Sequence, residues 1–434
     1  MFRKSIRYYS LFVSSLIVAR FLRAEVRHSS ILQQMIMRVL LFLLMLLSVP
    51  VGMEGQRVFK PVKLALKAKN YKDALTQINT LRQDSLYRDS PKLCEYSIEA
   101  NRGLNDIENM KLYLRKDYDT VAFFSTTLQI IREAVRLDSI DQARLAGKGG
   151  KPKYRSQVGE ILTQYVPNLR AASHFFYQRG KFAEALSYLR ASLDLPHSDI
   201  GQYAKLDTRN DTLNATLYLM SAFYAKQYAE VHRYESLALK DKAARPVIFE
   251  SLIQTAVAEK DTASHHRLLE DAFKEYPLHA SFFTRLADYY TGLQDYASVL
   301  RMADITIGKD SQNVFALVAK CIALQNLQRY DECITAAESL LRADTLSAEA
   351  NYYLGASYVA KASAILLPEN ALSSGYKTAK SEQQALYRKA RTYLEKYRAQ
   401  RPQLTKRWAP LLYKVYLSLN EGKKFAEIEQ LIAS

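Results

Sequence analysis

Apolar and small residues recur along this chain with a period of 34 residues. Five units in unbroken register begin at positions 212, 246, 280, 314 and 348, with aromatic residues and leucines favoured at unit positions 4, 7, 11, 17 and 24. Residues three or four positions apart lie on one face of a helix. No unit of this length buries such a face alone, so the period predicts helical hairpins that stack on their neighbours.

Small residues favour two fixed positions of the unit, where they let the two helices of a hairpin approach closely. Position 8 holds Ala287, Cys321 and Gly355 in the last three units, but Leu219 and Ile253 in the first two. Position 20 holds, in chain order, Val231, His265, Val299, Cys333 and, after an interruption, Ala390. A further good unit begins at 166, and weaker units begin near 55, 89 and 409.

Small residues at 8 and 20, with aromatic residues at 11 and 17, resemble the pattern of the tetratricopeptide repeat (TPR) family, here of an exported, Gram-negative bacterial type. The resemblance covers most of residues 56–434 and departs from the family pattern at 119–165 and at the generally missing proline of position 32. It implies an all-α fold, a TPR-like α-solenoid of stacked antiparallel helix pairs that forms a right-handed superhelix.

Two insertions interrupt the register. About 23 extra residues, at 361–384, separate the first helix "AEANYYLGASYVA" (348–360) from a second helix that carries Ala390, and a shorter insertion occupies 200–211. Closing a longer loop costs little free energy, so repeat arrays accept such insertions. Two interpretations of 361–384 stay open, namely a part of the binding face and a passive lengthening of the helix pair.

Composition and charge agree with an ordered protein that is helical almost throughout. Glycine (14) and proline (11) are scarce, and 48% of the residues are hydrophobic. The formal charge is +17, of which residues 1–55 contribute +5, leaving +12 for the remainder, with a local density of basic residues around 377–407. No nucleic-acid-binding motif accompanies these residues, so a solvated basic surface is favoured over a nucleic-acid site.

Residues 37–55, "MRVLLFLLMLLSVPVGMEG", have the pattern of a secretory signal peptide: a basic residue, a short apolar run and small residues after Pro50. The run is too short for a comfortable transmembrane helix, which needs about 20 residues. Residues 1–36 then read as a gene-model extension, with a long N-terminal anchor as the alternative. No cysteine lies near the cleavage region, so we expect a periplasmic or cell-surface protein that is not a lipoprotein, with no stable membrane span in the mature chain.

No catalytic or metal-binding motif is present, so the sequence predicts a protein without enzymatic activity, cofactor or metal. His265 and His266 are adjacent and point to different faces of a helix, which makes a poor metal pair. Cys321 and Cys333 hold the two close-contact positions of one repeat. They are a candidate disulfide in an oxidising compartment, and two small buried thiols are the favoured alternative.

Six Asp-Ser/Thr-apolar tripeptides resemble the O-glycosylation motif of exported proteins in one group of Gram-negative bacteria. Helix capping is the alternative explanation, because Asp, Ser and Thr are preferred at helix starts. The candidate acceptors are Ser85, Thr120, Ser139, Thr212, Thr262 and Thr345.

The resemblance implies a binding groove on the first helices of the repeats, at unit positions 2, 5, 9 and 12. The predicted function is a protein–protein interaction scaffold of the bacterial cell envelope that holds a protein or peptide in an apolar, concave groove. The alternative is a cell-envelope carbohydrate-binding protein that uses surface tyrosines. The candidate groove residues are Leu213, Thr216, Met220, Phe223, Phe315, Val318, Ile322, Tyr352 and Val359.

Overall fold

A computed structural model of the chain describes residues 57–146 and 149–433, which form helices joined by turns and loops without any strand. The predicted all-α fold of stacked helix pairs is therefore confirmed for this part of the chain. The predicted N-terminal extension (1–36) and signal peptide (37–55) lie outside the described residues.

The helices are numbered in chain order. They are α1 (Lys60–Lys67), α2 (Tyr71–Gln83), α3 (Pro91–Tyr113), α4 (Thr120–Leu145), α5 (Arg155–Tyr165), α6 (Pro167–Gln178), α7 (Phe182–His197), α8 (Asp199–Tyr203), α9 (Asp211–Tyr224), α10 (Tyr228–Val231), α11 (Glu235–Ala238), α12 (Arg245–Glu259), α13 (Thr262–Glu275), α14 (Ala280–Gly292), α15 (Tyr296–Lys309), α16 (Val314–Asn326), α17 (Tyr330–Ala343), α18 (Ala348–Ala364), α19 (Ser374–Gln400), α20 (Thr405–Ser418) and α21 (Gly422–Ala433).

The described residues divide into two compact units. The first contains residues up to Asn168 together with Asp199–Ala204. Here α1, α2 and α3 pack around a core that includes Val62, Ile78 and Leu93, and the long helices α3 and α4 pack along each other. The stretch that the sequence presents as irregular, 119–165, thus consists mainly of the helices α4 and α5.

The second unit contains Leu169–Ser198 and the residues from Lys205 onward. Its first helices α9, α12, α14, α16 and α18 begin 34 or 35 residues apart. Each packs against the helix that follows it, so the unit is built of successive hairpins. The second helix of the hairpin at 212 is broken into α10, a short 3₁₀ turn over His232–Tyr234, and α11.

Polar side chains cap several of these helices. Asp119, Asp261, Asp295, Asn313 and Ser347 each accept a hydrogen bond from the backbone N–H three residues further on. Such a cap satisfies one of the free N–H groups of the first turn and is worth about 1 kcal/mol. The positions of these capping residues therefore help to determine where the helices start.

The turns of the four hairpins at 212, 246, 280 and 314 each contain one residue in the left-handed conformation. Lys226, Lys260, Gln294 and Gln328 have φ between 57° and 59°, and successive members are 34 residues apart. The N–H of the following residue donates to the carbonyl five residues back, at 2.9 Å in every case. This bond satisfies a carbonyl at the helix C-terminus, which compensates for a conformation that costs a non-glycine residue about 1–2 kcal/mol.

Most of the 361–384 insertion is helical. The helix α18 continues to Ala364, a loop spans 365–373, and α19 starts thirteen residues before Tyr387. Gln383 donates a hydrogen bond to the carbonyl of Ala362 at 3.2 Å, and the hydroxyls of Ser363 and Tyr387 lie 3.2 Å apart. The insertion therefore lengthens this one hairpin and ends it in a loop.

Candidate partner-binding face

The exposed apolar side chains of α16 form the clearest candidate for a binding face in the second unit. Phe315 is 57% exposed, and Val318 and Ile322, one and two helical turns further on, are half-buried. Their spacing of three and seven residues places all three side chains on one side of the helix. Together they form an apolar stripe that is open to solvent.

Three predicted groove residues are not part of this exposed face. Thr216, Met220 and Val359 are buried. The hydroxyl of Thr216 donates to the backbone oxygen of Thr212, and Met220 accepts a hydrogen bond from Ser251 on the next first helix, α12. Neighbouring hairpins pack close enough to cover these positions, so the three side chains are not part of the open surface in this structure.

The remaining predicted groove residues differ in their solvent exposure. Leu213 is exposed and Phe223 is half-buried on α9. Tyr352 on α18 is partly buried, because the Arg407 guanidinium lies over its ring at 4.0 Å. Both terminal nitrogens of Arg407 donate to the Glu349 carboxylate at 3.0 Å, which fixes this arrangement. Tyr352 is thus a supporting residue at the edge of the candidate face.

The equivalent positions of α12 are mixed, with Val247 and Val257 both exposed, whereas those of α14 are polar. Glu250 on α12 accepts a hydrogen bond from Arg285 of α14 at 3.0 Å. Positions 2, 5, 9 and 12 of α14 are Ser281, Thr284, Asp288 and Thr291. The same 34-residue register identifies these residues, so the sequence alone could have predicted that they lie on the first-helix face. The apolar character of the face is therefore present on α9, α12 and α16 and is interrupted at α14.

A polar network joins α7 to the hairpin at 212. Arg190 donates to the hydroxyl of Tyr218 at 2.9 Å and also pairs with Glu230. Tyr218 is fully buried and donates to the Glu230 carboxylate at 2.5 Å. Burial, together with this hydrogen bond to Glu230, raises the pKa of Tyr218 to about 12. Each group has its partner within the network, which indicates a structural role.

A shallow cleft of about 410 Å³ lies beside α19 and is lined by charged residues. Lys424 donates to Glu395 at 2.7 Å, and the hydroxyl of Tyr416 donates to the same carboxylate at 3.0 Å. Arg398 pairs with Glu427 across it. The charges of the cleft are satisfied by one another, so we assign no site there.

Cys321 and Cys333 are fully buried free thiols in this structure. The sulfur of Cys333 lies 3.5 Å from the carbonyl oxygen of Cys321. A hydrogen bond with Cys333 and burial raise the pKa of Cys321. Cys94, in the first unit, is also buried, and burial raises its pKa to about 11. Cys94 and Cys321 therefore stay protonated at neutral pH. The hydrogen bond with Cys321 lowers the pKa of Cys333, so only burial shields this thiol from reagents in the folded chain.

The candidate O-glycosylation sites differ in their surroundings. Ser85, Thr262 and Thr345 are exposed at helix boundaries, and Thr120 and Thr212 are half-buried in first turns of helices. Ser139 is exposed but lies inside α4, where its hydroxyl donates to the backbone oxygen of Val135 at 3.0 Å. The first three acceptors are the most accessible to a modifying enzyme.

Within residues 57–146 and 149–433, no group of three or more His, Cys, Asp or Glu side chains is arranged to hold a metal ion. His265 is half-buried on α13, and burial lowers its pKa. Its neighbour His266 stacks on Tyr289 at 4.2 Å. His266 is therefore part of the packing between α13 and α14.

No protein-family model matches this chain, and no curated protein matches it. Among solved structures, the P58(IPK) TPR domain is 12% identical and covers 85% of this chain and 99% of its own, with a TM-score of 0.24. The TPR2AB domain of yeast Sti1, in complex with pHSP90, is 14% identical and covers 62% and 97%, with a TM-score of 0.21. Yeast Tom70 is 13% identical and covers 87% and 91%, with a TM-score of 0.25. Because these TM-scores are below 0.5, the fold assignment rests on the helix pairs described above.

Proposed function

We propose that this chain is a non-enzymatic protein–protein interaction scaffold of the bacterial cell envelope that binds a protein or peptide on the first helices of its second unit. The observation that carries the proposal is the apolar stripe of α16, in which Phe315 leaves more than half of its surface in solvent. An exposed aromatic residue beside half-exposed aliphatic ones is typical of a contact site. The assignment to the envelope rests on the signal-peptide pattern of residues 37–55.

The form of the stripe suggests the form of the ligand. Phe315, Val318 and Ile322 line up along about two turns of helix, a length that fits the apolar side of an amphipathic helix or a short extended segment. Polar residues of α14, such as Thr284 and Asp288, lie on the neighbouring first helix. A peptide with apolar residues on one side and hydrogen-bonding groups on the other matches this surface.

The test is affinity capture from the native envelope with a tagged chain and two matched variants. Phe315→Asp places a charge in the stripe, whereas Ile305→Asp does the same on the second helix α15, where Ile305 is 51% exposed. Removing a central aromatic contact typically costs 2 kcal/mol or more, about a thirtyfold loss of affinity. We expect a partner that is retained by the wild type and Ile305→Asp and lost by Phe315→Asp.

Circular dichroism confirms that both variants fold before the comparison is made. A partner captured equally by all three proteins would place the contact elsewhere and refute the site. Capture of no protein at all, combined with a shift in melting temperature on adding oligosaccharides, would favour the carbohydrate-binding alternative.

A further inference from the structure

The net charge of this chain is concentrated in a short segment near its C-terminus. Residues 374–414 contain eleven Lys or Arg and two Glu, a net charge of +9. Residues 56–434 together carry +12, so the rest of that stretch is close to neutral. A charge asymmetry of this size generates a local positive potential that attracts anionic surfaces.

Most of these cations have no carboxylate partner among the described residues. Three of the eleven form ion pairs, namely Arg391 with Glu421, Arg398 with Glu427, and Arg407 with Glu349. Of the two acids, Glu395 is already held by Lys424. The other eight cations are Lys377, Lys380, Arg388, Lys389, Lys396, Arg401, Lys406 and Lys414.

Four of them form a strip along the solvent side of α19. Lys377, Arg388, Lys389 and Lys396 are exposed and lie on the side of the helix that faces away from its buried residues. At 1.5 Å per residue, the strip is about 28 Å long. The ammonium group of Lys389 lies 5.5 Å from the ring centroid of Tyr358, an arrangement that holds one end of this side chain in place.

The loop at the end of the same hairpin exposes two leucines. Leu366 is 89% exposed and Leu372 is 85% exposed, and the first twelve residues of α19, before Leu386, include no buried side chain. Lys377 lies five residues after Leu372, and Lys380 lies one turn further on. Exposed aliphatic side chains thus lie close in sequence to cations that have no carboxylate partner among the described residues.

We propose that the loop 365–373 and the basic strip of α19 dock the chain on the surface of an anionic lipid bilayer. In this arrangement the leucines enter the boundary between headgroups and acyl chains, and the lysines and arginines contact lipid phosphates. The contact is peripheral, since no helix among the described residues is long and apolar enough to cross a bilayer. This inference is independent of the proposed partner-binding face on α16.

The leucines decide between a bilayer and a nucleic acid. Both are polyanions and both attract the basic strip. Only a bilayer provides an apolar phase that stabilises Leu366 and Leu372, because the surface of a nucleic acid backbone is charged and hydrated. The combination of apolar tip and basic helix therefore favours lipid as the ligand.

The test uses sedimentation of the full 434-residue chain with sucrose-loaded vesicles. One set contains phosphatidylcholine with about 30% phosphatidylglycerol, and the other contains phosphatidylcholine alone. We expect binding to the anionic vesicles at about 0.05 M salt, and a strong decrease at about 0.5 M salt. Vesicles of phosphatidylcholine alone should leave the protein in the supernatant.

Two variants and two matched controls locate the contact. Leu366→Ser with Leu372→Ser should lower the partition coefficient at least about tenfold, whereas Leu86→Ser with Leu346→Ser, two leucines of similar exposure elsewhere, should not change it. A triple change to Gln at Arg388, Lys389 and Lys396 should lower it by on the order of 100-fold, at about fivefold per cation. The same change at the exposed residues Lys181, Lys240 and Lys242 should have little effect.

Each remaining outcome overturns the proposal. Equal loss in a variant and its control would mean that general charge or apolarity, rather than this hairpin, carries the binding. Binding that no variant changes would place the membrane contact elsewhere in the chain. Failure to bind anionic vesicles, with binding of a labelled single-stranded oligonucleotide that the leucine changes do not affect, would identify the strip as a nucleic-acid site.

Discussion

The contact between Gly355 and Leu394 gives the sharpest test of the helix packing. A methyl group added at Gly355 would lie 2.5 Å from Cγ and 2.8 Å from Cδ2 of Leu394. Leu394 has no exposed surface, so it has little room to move. Overpacking of this kind costs about 1–3 kcal/mol, against a gain in helix propensity of about 1 kcal/mol for Gly→Ala. We expect Gly355→Ala to destabilise the hairpin by about 1 kcal/mol.

Gly308→Ala supplies the matched control. Gly308 lies in α15, and a Cβ there would meet nothing within 4 Å. This variant should be stabilised by up to about 1 kcal/mol, because it gains helix propensity without a clash. Both variants gain the same helix propensity. The difference between their changes in opening free energy therefore gives the steric cost alone, about 1–3 kcal/mol.

The assay is native-state hydrogen exchange, read from the amides in 348–400 for Gly355→Ala and from those of α15 for Gly308→Ala. Local opening free energies are suitable here because a chain with two compact units need not unfold in one step. Leu394→Ala alone should cost about 2–5 kcal/mol, and the double variant with Gly355→Ala should cost less than the sum of the two changes. Equal or increased protection in Gly355→Ala, matching Gly308→Ala, would refute the close approach of α18 and α19.

Three further predictions concern titration, thiols and modification. Burial opposes protonation of His232, but hydrogen bonds to Glu235 and Glu259 outweigh it and raise the pKa of His232. The stability that protonated His232 contributes is therefore fully present below about pH 6.5 and is lost as pH rises through the higher folded pKa. In chemical denaturation, the difference in unfolding free energy between wild type and His232→Gln should shrink from low to high pH. Because their side chains are fully buried, Cys321 and Cys333 should react with a thiol reagent only after unfolding, measured by mass spectrometry with and without denaturant. If the native host glycosylates this chain, peptide mapping should find glycans on exposed sites such as Thr262 and not on Ser139 inside α4.

Each of these has an outcome that contradicts it. A constant difference between wild type and His232→Gln from low to high pH would show that the His232 pKa is unchanged by folding. Recovery of Cys321 and Cys333 as one cross-linked peptide from the native host would establish the disulfide alternative. A glycan on Ser139 would require α4 to open at that point.

The sequence pattern predicts the helix pairs because the small residues that make them are local and periodic. Gly355 and Ala390 at positions 8 and 20 let α18 and α19 approach closely, and the spacing of their apolar neighbours repeats in every unit. The left-handed turn residues were not predicted, because Lys226 and Gln294 carry no glycine signal. Their conformation follows from the hydrogen bonds of the turn rather than from the residue type.

The openness of the candidate face was not predictable from the repeat register alone. The position of a residue within a unit predicts the direction of its side chain, but the burial of that side chain depends on how closely the next hairpin approaches. Met220 is covered by α12, and Tyr352 is covered by Arg407, which comes 55 residues later in the chain. Phe315 and Leu213 stay exposed, whereas Glu349, at the same unit position, is half-buried. The contrast between these residues arises from tertiary packing.

Site-specific photo-crosslinking at Phe315 tests the central claim most directly. A photoreactive phenylalanine analogue at position 315, expressed in the native envelope, should form a crosslink to a defined protein on illumination, because the stripe of α16 faces the partner. The same analogue at Ile305 on α15, a site of similar exposure, should form none with that protein. A crosslink of equal yield at both positions, or at position 305 alone, would contradict the assignment of the first-helix face as the binding site.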